Sequence, residues 1–426
     1  MIKVIKSFIA LLIATTILTM GSGLMNSLLS INMRLQDYND QIIGLVMSAN
    51  YLGILLGIFF CQKIVQRVGH IRAFAVFAAA MTAISLVHGL YMSAWLWAVL
   101  RICNGLCVTG LFTVLESWLN EKVEPGFRGR LLSIYMVMVY FGIGSGQLLL
   151  NVNDVQGQTI FMIAAILFAL CLVPISITRA VNPQPLEVPR YNLIKLFQLA
   201  PLSMVGCFIG GMINSSFYAM GPMFGLDIGL PVSQVSLFMS LTVWAGLLFQ
   251  IPVGLISDRL DRLTVLSALG FLVMLVSIGI AMLGRGGLSV LMLLTVCFGM
   301  VFTIYPVAMA RAQDNIEKEE IVPVSAALII FFGIGACFGP ITASFVISKI
   351  GPFGLYYFTA VCGGTLGVVV LSLRNKLPRN FDKQVPYIPI PRTSPVISTI
   401  DPRGEHEVQY DVDEMSESSG KLESNS

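Results

Sequence analysis

The chain alternates long apolar stretches with short polar breaks. Runs at 7–33, 40–61, 71–92, 95–119, 131–150, 160–178, 201–224, 234–256, 264–283, 288–310, 323–348 and 355–373 are each bounded by charge, Pro or Gly clusters. A helix rising 1.5 Å per residue needs about 20 apolar residues to cross a hydrocarbon core. The pattern therefore predicts twelve spanning helices, and an even number puts both chain ends on one side. The first run, from Phe8 to Ile31, follows Lys3 and Lys6 and superficially resembles a signal peptide. It is longer than the h-region of about 7–15 residues, and no A-x-A site follows it, so a retained helix is expected.

The pattern repeats. Gly23-Leu24-Met25-Asn26-Ser27 in helix 1 is echoed by Gly211-Met212-Ile213-Asn214-Ser215 in helix 7. Leu45-Val46-Met47-Ser48 in helix 2 is echoed by Leu237-Phe238-Met239-Ser240 in helix 8, and Phe141-Gly142-Ile143-Gly144 in helix 5 by Phe332-Gly333-Ile334-Gly335 in helix 11. The expected organisation is an all-α integral membrane protein: an N-terminal six-helix bundle at 1–178, a Pro-containing linker at 179–198, and a C-terminal six-helix bundle at 199–373. Six helices per repeat place the halves in parallel, related by an axis along the membrane normal. The tail at 374–426 is rich in Pro and Ser, basic at first and acidic later. It is expected to be disordered.

Polar residues inside the runs follow a second rule. The cores of helices 3, 6 and 9 hold no Asn, Gln, Tyr or ionisable residue, and helix 12 has only Tyr356 and Tyr357 at its rim. Every third helix thus reads as lipid-facing, because polar groups in hydrocarbon are costly and need a partner. The remaining helices are expected to surround a cavity lined by Asn26, Arg101, Asn104, Tyr140, Gln147, Asn214, Tyr218, Trp244 and Tyr305. The bland alternative for any one of them is a hydrogen bond to a neighbouring helix. Arg101 and Glu116 are the ionisable residues deep in the spans, both on helix 4 and about 22 Å apart along it. Arg101 reads as a substrate contact or a structural hub. Glu116 reads as the partner of a basic residue at the cytoplasmic face, with a proton-carrying role as the alternative. The aromatic and amide residues, with one positive charge and no deep carboxylate except Glu116, favour a neutral or anionic amphipathic solute over a cation.

Composition narrows the class. Of 426 residues 56% are hydrophobic and 12% charged, whereas soluble domains carry about 25% charged residues. Lys and Arg crowd the loops on the side of the chain ends, while the opposite loops hold only Arg34, Arg285 and Lys349. This bias places both termini in the cytoplasm. The eight cysteines all lie in or beside apolar runs, with no CxxC among them, and read as packing residues.

Gly254-Leu255-Ile256-Ser257-Asp258-Arg259-Leu260-Asp261-Arg262 is similar to the G-x-x-x-D-R-x-G-R loop, and Arg101-Ile102-Cys103-Asn104-Gly105 to the R-x-x-Q-G motif, of the major facilitator superfamily, which the chain thus resembles. The equivalent loop after helix 2 keeps Arg67 and Gly69 but has Gln66 in place of the acid. Glu116-Ser117, Arg128-Gly129-Arg130-Leu131-Leu132, Gly146-Gln147-Leu148-Leu149, Tyr305-Pro306-Val307-Ala308-Met309-Ala310 and Gly339-Pro340 resemble the YcaD-type bacterial branch. The resemblance implies the two-bundle fold and alternating access. It also implies a cytoplasmic gate of Gln66, Arg67, Glu116, Asp258, Arg259 and Arg262, with Asp258 meeting the start of helix 5 and Gln66 the start of helix 11. The drug-antiporter signature G-P-x-x-G-G is not matched, since Gly142-Ile143-Gly144-Ser145-Gly146-Gln147 lacks the proline.

The expected function is secondary transport of a small organic solute, with proton coupling as an option. The alternative is a transporter-fold sensor without net flux. An enzyme is not expected: neither H-E-x-x-H nor G-x-S-x-G occurs, and His70, His88 and His406 are too scattered to form one metal site. No P-loop is present. The expected partners are a small-molecule substrate and the lipid bilayer, with no cofactor and no nucleic acid. A monomer in the bacterial inner membrane is expected.

Overall fold

The computed structural model describes residues 2–122, 127–177, 193–314, 316, 320–374, 387–388 and 392–400. Among the described residues, twelve helices are long and apolar enough to span a membrane. They are α1 Phe8–Leu35, α2 Asp40–Val68, α3 His70–Leu90, α4 Ala94–Glu121, α5 Arg128–Asn151, α6 Gln158–Ile177, α7 Pro201–Asp227, α8 Val232–Arg259, α9 Arg262–Leu283, α10 Leu288–Gln313, α11 Ile321–Ile350 and α12 Gly354–Leu373. Several run beyond the apolar stretch that predicts them. A helix stops where its backbone is turned, not where lipid ends. Thus α2 continues to Val68 and is ended by Gly69, whose φ of 87° suits glycine and whose N–H bonds Val65 O. Most of the linker lies outside the described residues, and its last part is a short helix, Leu193–Leu199.

The two six-helix halves repeat one packing scheme. In the first, α1 packs on α5, α2 on α4 and α3 on α6; in the second, α7 packs on α11, α8 on α10 and α9 on α12. Glycine explains the tightest of these crossings. A Cβ added to Gly23 would lie 2.4 Å from Ile143 O, and one added to its repeat partner Gly211 would lie 2.1 Å from Phe332 O. Likewise a Cβ at Gly105 would lie 2.0 Å from Asn50 O, which explains the glycine of the helix-4 motif by close backbone approach. The repeated sequence therefore encodes repeated helix contacts.

The halves meet along a seam where α2 packs on α11, α5 on α8 and α1 on α7. The face where α12 ends and the tail begins is the tail face, and the opposite one the far face. Hydrogen bonds crossing the seam gather toward the far face. Arg34 Nε bonds Asp227 Oδ1 at 2.6 Å, Ser30 Oγ donates to Ala219 O at 2.6 Å, and Asn151 Nδ2 to Ser236 Oγ at 2.8 Å. Ser240 Oγ donates to Gly144 O at 2.8 Å, and Ser48 Oγ to Cys337 O. The halves are closed on each other there.

The expectation of a disordered tail is refined for two stretches. Tyr387–Ile388 and 392–400 are packed against the helices, the latter including a 3-10 turn at Pro395–Ile400 between α4 and α11. The other residues beyond Arg374 lie outside the described residues.

Candidate functional site

A cavity of about 180 Å³ lies on the seam. Its helical walls come from α1, α2, α4, α5, α7, α10 and α11, Arg392 and Thr393 of the tail complete the lining, and no lining residue belongs to α3, α6, α9 or α12. This matches the every-third pattern of apolar helices. The polar lining includes Asn26, Asn50, Tyr51, Asn104, Tyr140, Asn214, Tyr218 and Tyr305, beside Phe112, Phe302 and Phe332.

Local backbone chemistry shapes the α10 wall. The helix tightens into a 3-10 segment at Gly299–Thr303 before resuming an α-helix at Ile304. Pro306 has no N–H, so it cannot donate to the carbonyl of Phe302 four residues earlier. Gln250 Nε2 of α8 donates to that carbonyl instead, at 3.3 Å. The irregular turn presents Phe302 and Tyr305 to the cavity, where Phe302 meets Tyr140 edge-on at 5.9 Å between ring centroids. Tyr305 meets Phe332 in the same manner at 5.5 Å.

The amides differ in how they are held. Asn214 Nδ2 bonds back to Gly210 O at 2.7 Å, which leaves Oδ1 to accept from another group. Asn26 Oδ1 accepts from Arg101 at 2.7 Å. Asn50 Oδ1 is buried and has no hydrogen-bond partner among the described residues. A buried acceptor without a partner costs free energy that a solute donor would recover.

Six of the nine residues expected at the cavity line it: Asn26, Asn104, Tyr140, Asn214, Tyr218 and Tyr305. Three do not. Arg101 stands behind Asn26, is 2% exposed, and reaches the cavity through that amide. Gln147 is buried between α1 and α5, where its Oε1 accepts from Ser27 Oγ. Trp244 packs at the seam, stacked on Phe141 at 6.5 Å and against Gly144. Arg101 and Gln147 find side-chain partners on a neighbouring helix, whereas Trp244 is held there by ring packing, its buried Nε1 having no hydrogen-bond partner among the described residues.

The gate positions separate in the same way. Gln66, Arg67 and Arg259 are exposed at the tail-face ends of α2 and α8. Arg262 is fully buried and bridges Asp258 at 3.2 Å and Asp314 at 3.1 Å. Asp258 Oδ1 also accepts from the Tyr387 N–H at 2.8 Å. The start of α5, the expected neighbour of Asp258, is met by Ile388 over Gly129. Glu116 departs from the expected pairing with a basic residue. Its fully buried carboxylate accepts from Tyr135 Oη at 2.9 Å and from the hydroxyls of Thr393 and Ser394. Hydroxyl donors satisfy a buried carboxylate without burying a second charge beside it.

Sequence reasoning missed Tyr387, Arg392, Thr393, Ser394 and Asp314. The available signal in the tail was a set of apolar pairs between prolines, Tyr387-Ile388 and Val396-Ile397. Among the described residues, no cluster of His, Cys, Asp and Glu could hold a metal ion.

Comparison with known proteins agrees with this architecture. The family model of the Major Facilitator Superfamily matches residues 11–340 and 203–400. The chain is 29% identical over 343 residues to the MFS-type transporter YcaD of Salmonella typhimurium (strain LT2), covering 80% of this chain and 88% of that one. YcaD of Salmonella typhi matches to the same extent. Among solved structures, the nucleoside transporter NupG superposes with a TM-score of 0.74 at 11% identity, covering 86% of this chain and 99% of that chain. A bacterial homolog of the human lysosomal transporter Spinster superposes with a TM-score of 0.65 at 13% identity, covering 95% and 99%. With its twelve spanning helices in two repeated bundles about a central cavity, the chain belongs to the Major Facilitator Superfamily of membrane transporters.

Proposed function

We propose that the chain is a secondary transporter that moves a small organic solute by alternating access, from a cytoplasmic membrane with both termini inside. The observation that carries this reading is the cavity on the seam between two repeat-related halves, walled by helices of both. A site in that position changes its exposure when the halves rock about it. Asn50 Oδ1, Asn214, Tyr140, Tyr218 and Tyr305 supply polar contacts, and Phe112, Phe302 and Phe332 supply apolar faces. Such a lining suits an amphipathic solute. Asp258 and Gln66 act as the gate positions of the tail face, and the protein works as a monomer.

The test is a thermal-shift screen of the purified full-length protein against metabolites and drugs, with each hit then assayed for flux in proteoliposomes. A stabilising hit that also shows counterflow supports the reading. Hits that bind saturably with no counterflow would favour a sensor and overturn it.

A further inference from the structure

The tail enters the cavity from the tail face. Arg392 and Thr393 line the cavity itself. The Arg392 guanidinium lies over the Phe332 ring at 4.5 Å and near the Phe302 ring at 5.6 Å, and donates to Asn214 Oδ1 at 3.2 Å. Aromatic faces attract a guanidinium, and the attraction grows when water is excluded. Thr393 and Ser394 donate to Glu116, supplying two of the three side-chain hydroxyls that satisfy this buried carboxylate. Ser394, Val396 and Ile397 are buried, the latter two as apolar anchors. Further out, Tyr387 Oη donates to Gln250 Oε1 at 2.5 Å and its ring covers Gly254 at the end of α8.

These contacts fall on both halves. Glu116 and Gly129 belong to the first; Asn214, Gln250, Asp258 and Phe332 belong to the second. The tail therefore occupies the space into which the halves would close on this face. It also uses Asn214 and Phe332, which the cavity offers to a solute.

We propose that the tail stretches 387–388 and 392–400 are a built-in plug, which fills the tail-face mouth of the cavity and excludes solute and far-face opening until it withdraws. Tail and solute compete for one space, and the halves cannot approach at the tail face while these stretches lie between them. The plug rests on the transporter reading for its purpose, but its test needs no transported solute.

The experiment uses the full chain in nanodiscs and two tail variants, Thr393→Asp/Ser394→Asp and Arg392→Ala. The first sets new carboxylates beside Glu116; the second removes the cation from the aromatic faces. Neither alters a helix. Hydrogen exchange read by mass spectrometry reports whether the tail is docked. Access is read with Ser22→Cys on the cavity wall, by the rate at which the introduced thiol reacts with a membrane-impermeant methanethiosulfonate. We expect tail amides in 392–400 to exchange at least tenfold faster in the Asp variant than in the parent. We expect the thiol at position 22 to react at least tenfold faster there, with Arg392→Ala intermediate in both readouts. Equal exchange in parent and variants would show an undocked tail and overturn the proposal. Faster exchange with an unchanged thiol reaction rate would show a docked tail that is no plug, and would overturn it equally. Absence of flux for every solute would sink the transporter reading while leaving both of these readouts intact.

Discussion

Arg34 at the end of α1 and Asp227 at the end of α7 join the two halves across the far face, with Nε and Oδ1 2.6 Å apart. Arg34 also reaches Asp40 at 3.2 Å. Asp227 is nearly buried while Arg34 is about one-third exposed, so solvent screens part of the attraction. A contribution of about 1 kcal/mol is reasonable for such a pair. Arg34→Ala should therefore shift the balance of far-face-closed to far-face-open molecules by about fivefold. Distances between spectroscopic labels on the far-face ends of α1 and α7 would show it. An unchanged distribution would mean that the serine-to-carbonyl contacts suffice.

Arg101 should act through Asn26 rather than by touching solute. No acidic side chain pairs with it among the described residues. Lys offers a point charge without the planar fork that reaches the amide. Arg101→Lys is expected to lower solute affinity at least tenfold and to leave the unfolding temperature within a few degrees of the parent. Solute binding measured by thermal shift, with the ligand-free transition as reference, separates the two. Equal affinity in both proteins would assign Arg101 to packing alone.

Gly105 permits α4 to lie against the backbone of α2, with a Cβ position 2.0 Å from Asn50 O. Since the obstacle is backbone, no side-chain rotamer change relieves it. Gly105→Ala should cost about 2–3 kcal/mol, as overpacking commonly does. It should also move Asn50 and Asn104 at the cavity wall. The unfolding temperature in detergent is the measurement, and a value equal to the parent's would refute the contact.

Glu116 is the carboxylate set deepest in a span, held by hydroxyls rather than by a cation. If a proton drives transport through it, Glu116→Gln should abolish pH-driven flux and spare exchange of solute for solute. Gln keeps the size and can still accept from Tyr135, so the fold is expected to persist. Retained pH-driven flux would locate coupling elsewhere.

The spanning helices were legible because lipid demands long apolar runs and internal hydrogen bonds. Their ends were not, since Gly69 and not the lipid boundary stops α2. The polar set was legible as a pattern over helices, for Asn26 and Asn214 stand out in apolar surroundings and sit at equivalent places in the repeat. The fate of single residues was not. Whether Gln147 faces a cavity or Ser27 depends on the rotation of α5 against α1, which periodicity along one helix does not contain. The tail escaped for a different reason. Its prolines break any helical period, so the burial of Val396 and Ile397 left no repeating signature.

The glycine crossings make the protein unequally stiff. Where α1 lies on α5, α2 on α4 and α7 on α11, backbone touches backbone and no side chain stands between to change rotamer. Such contacts have little compliance, because close-packed interiors transmit strain instead of absorbing it. The far-face part of the seam includes single hydroxyl-to-carbonyl bonds and an ion pair, which can break one at a time. A load placed on the molecule, by a solute wedged in the cavity or by lateral pressure from lipid, will concentrate along that line of discrete fastenings and leave the interior of each half nearly undeformed.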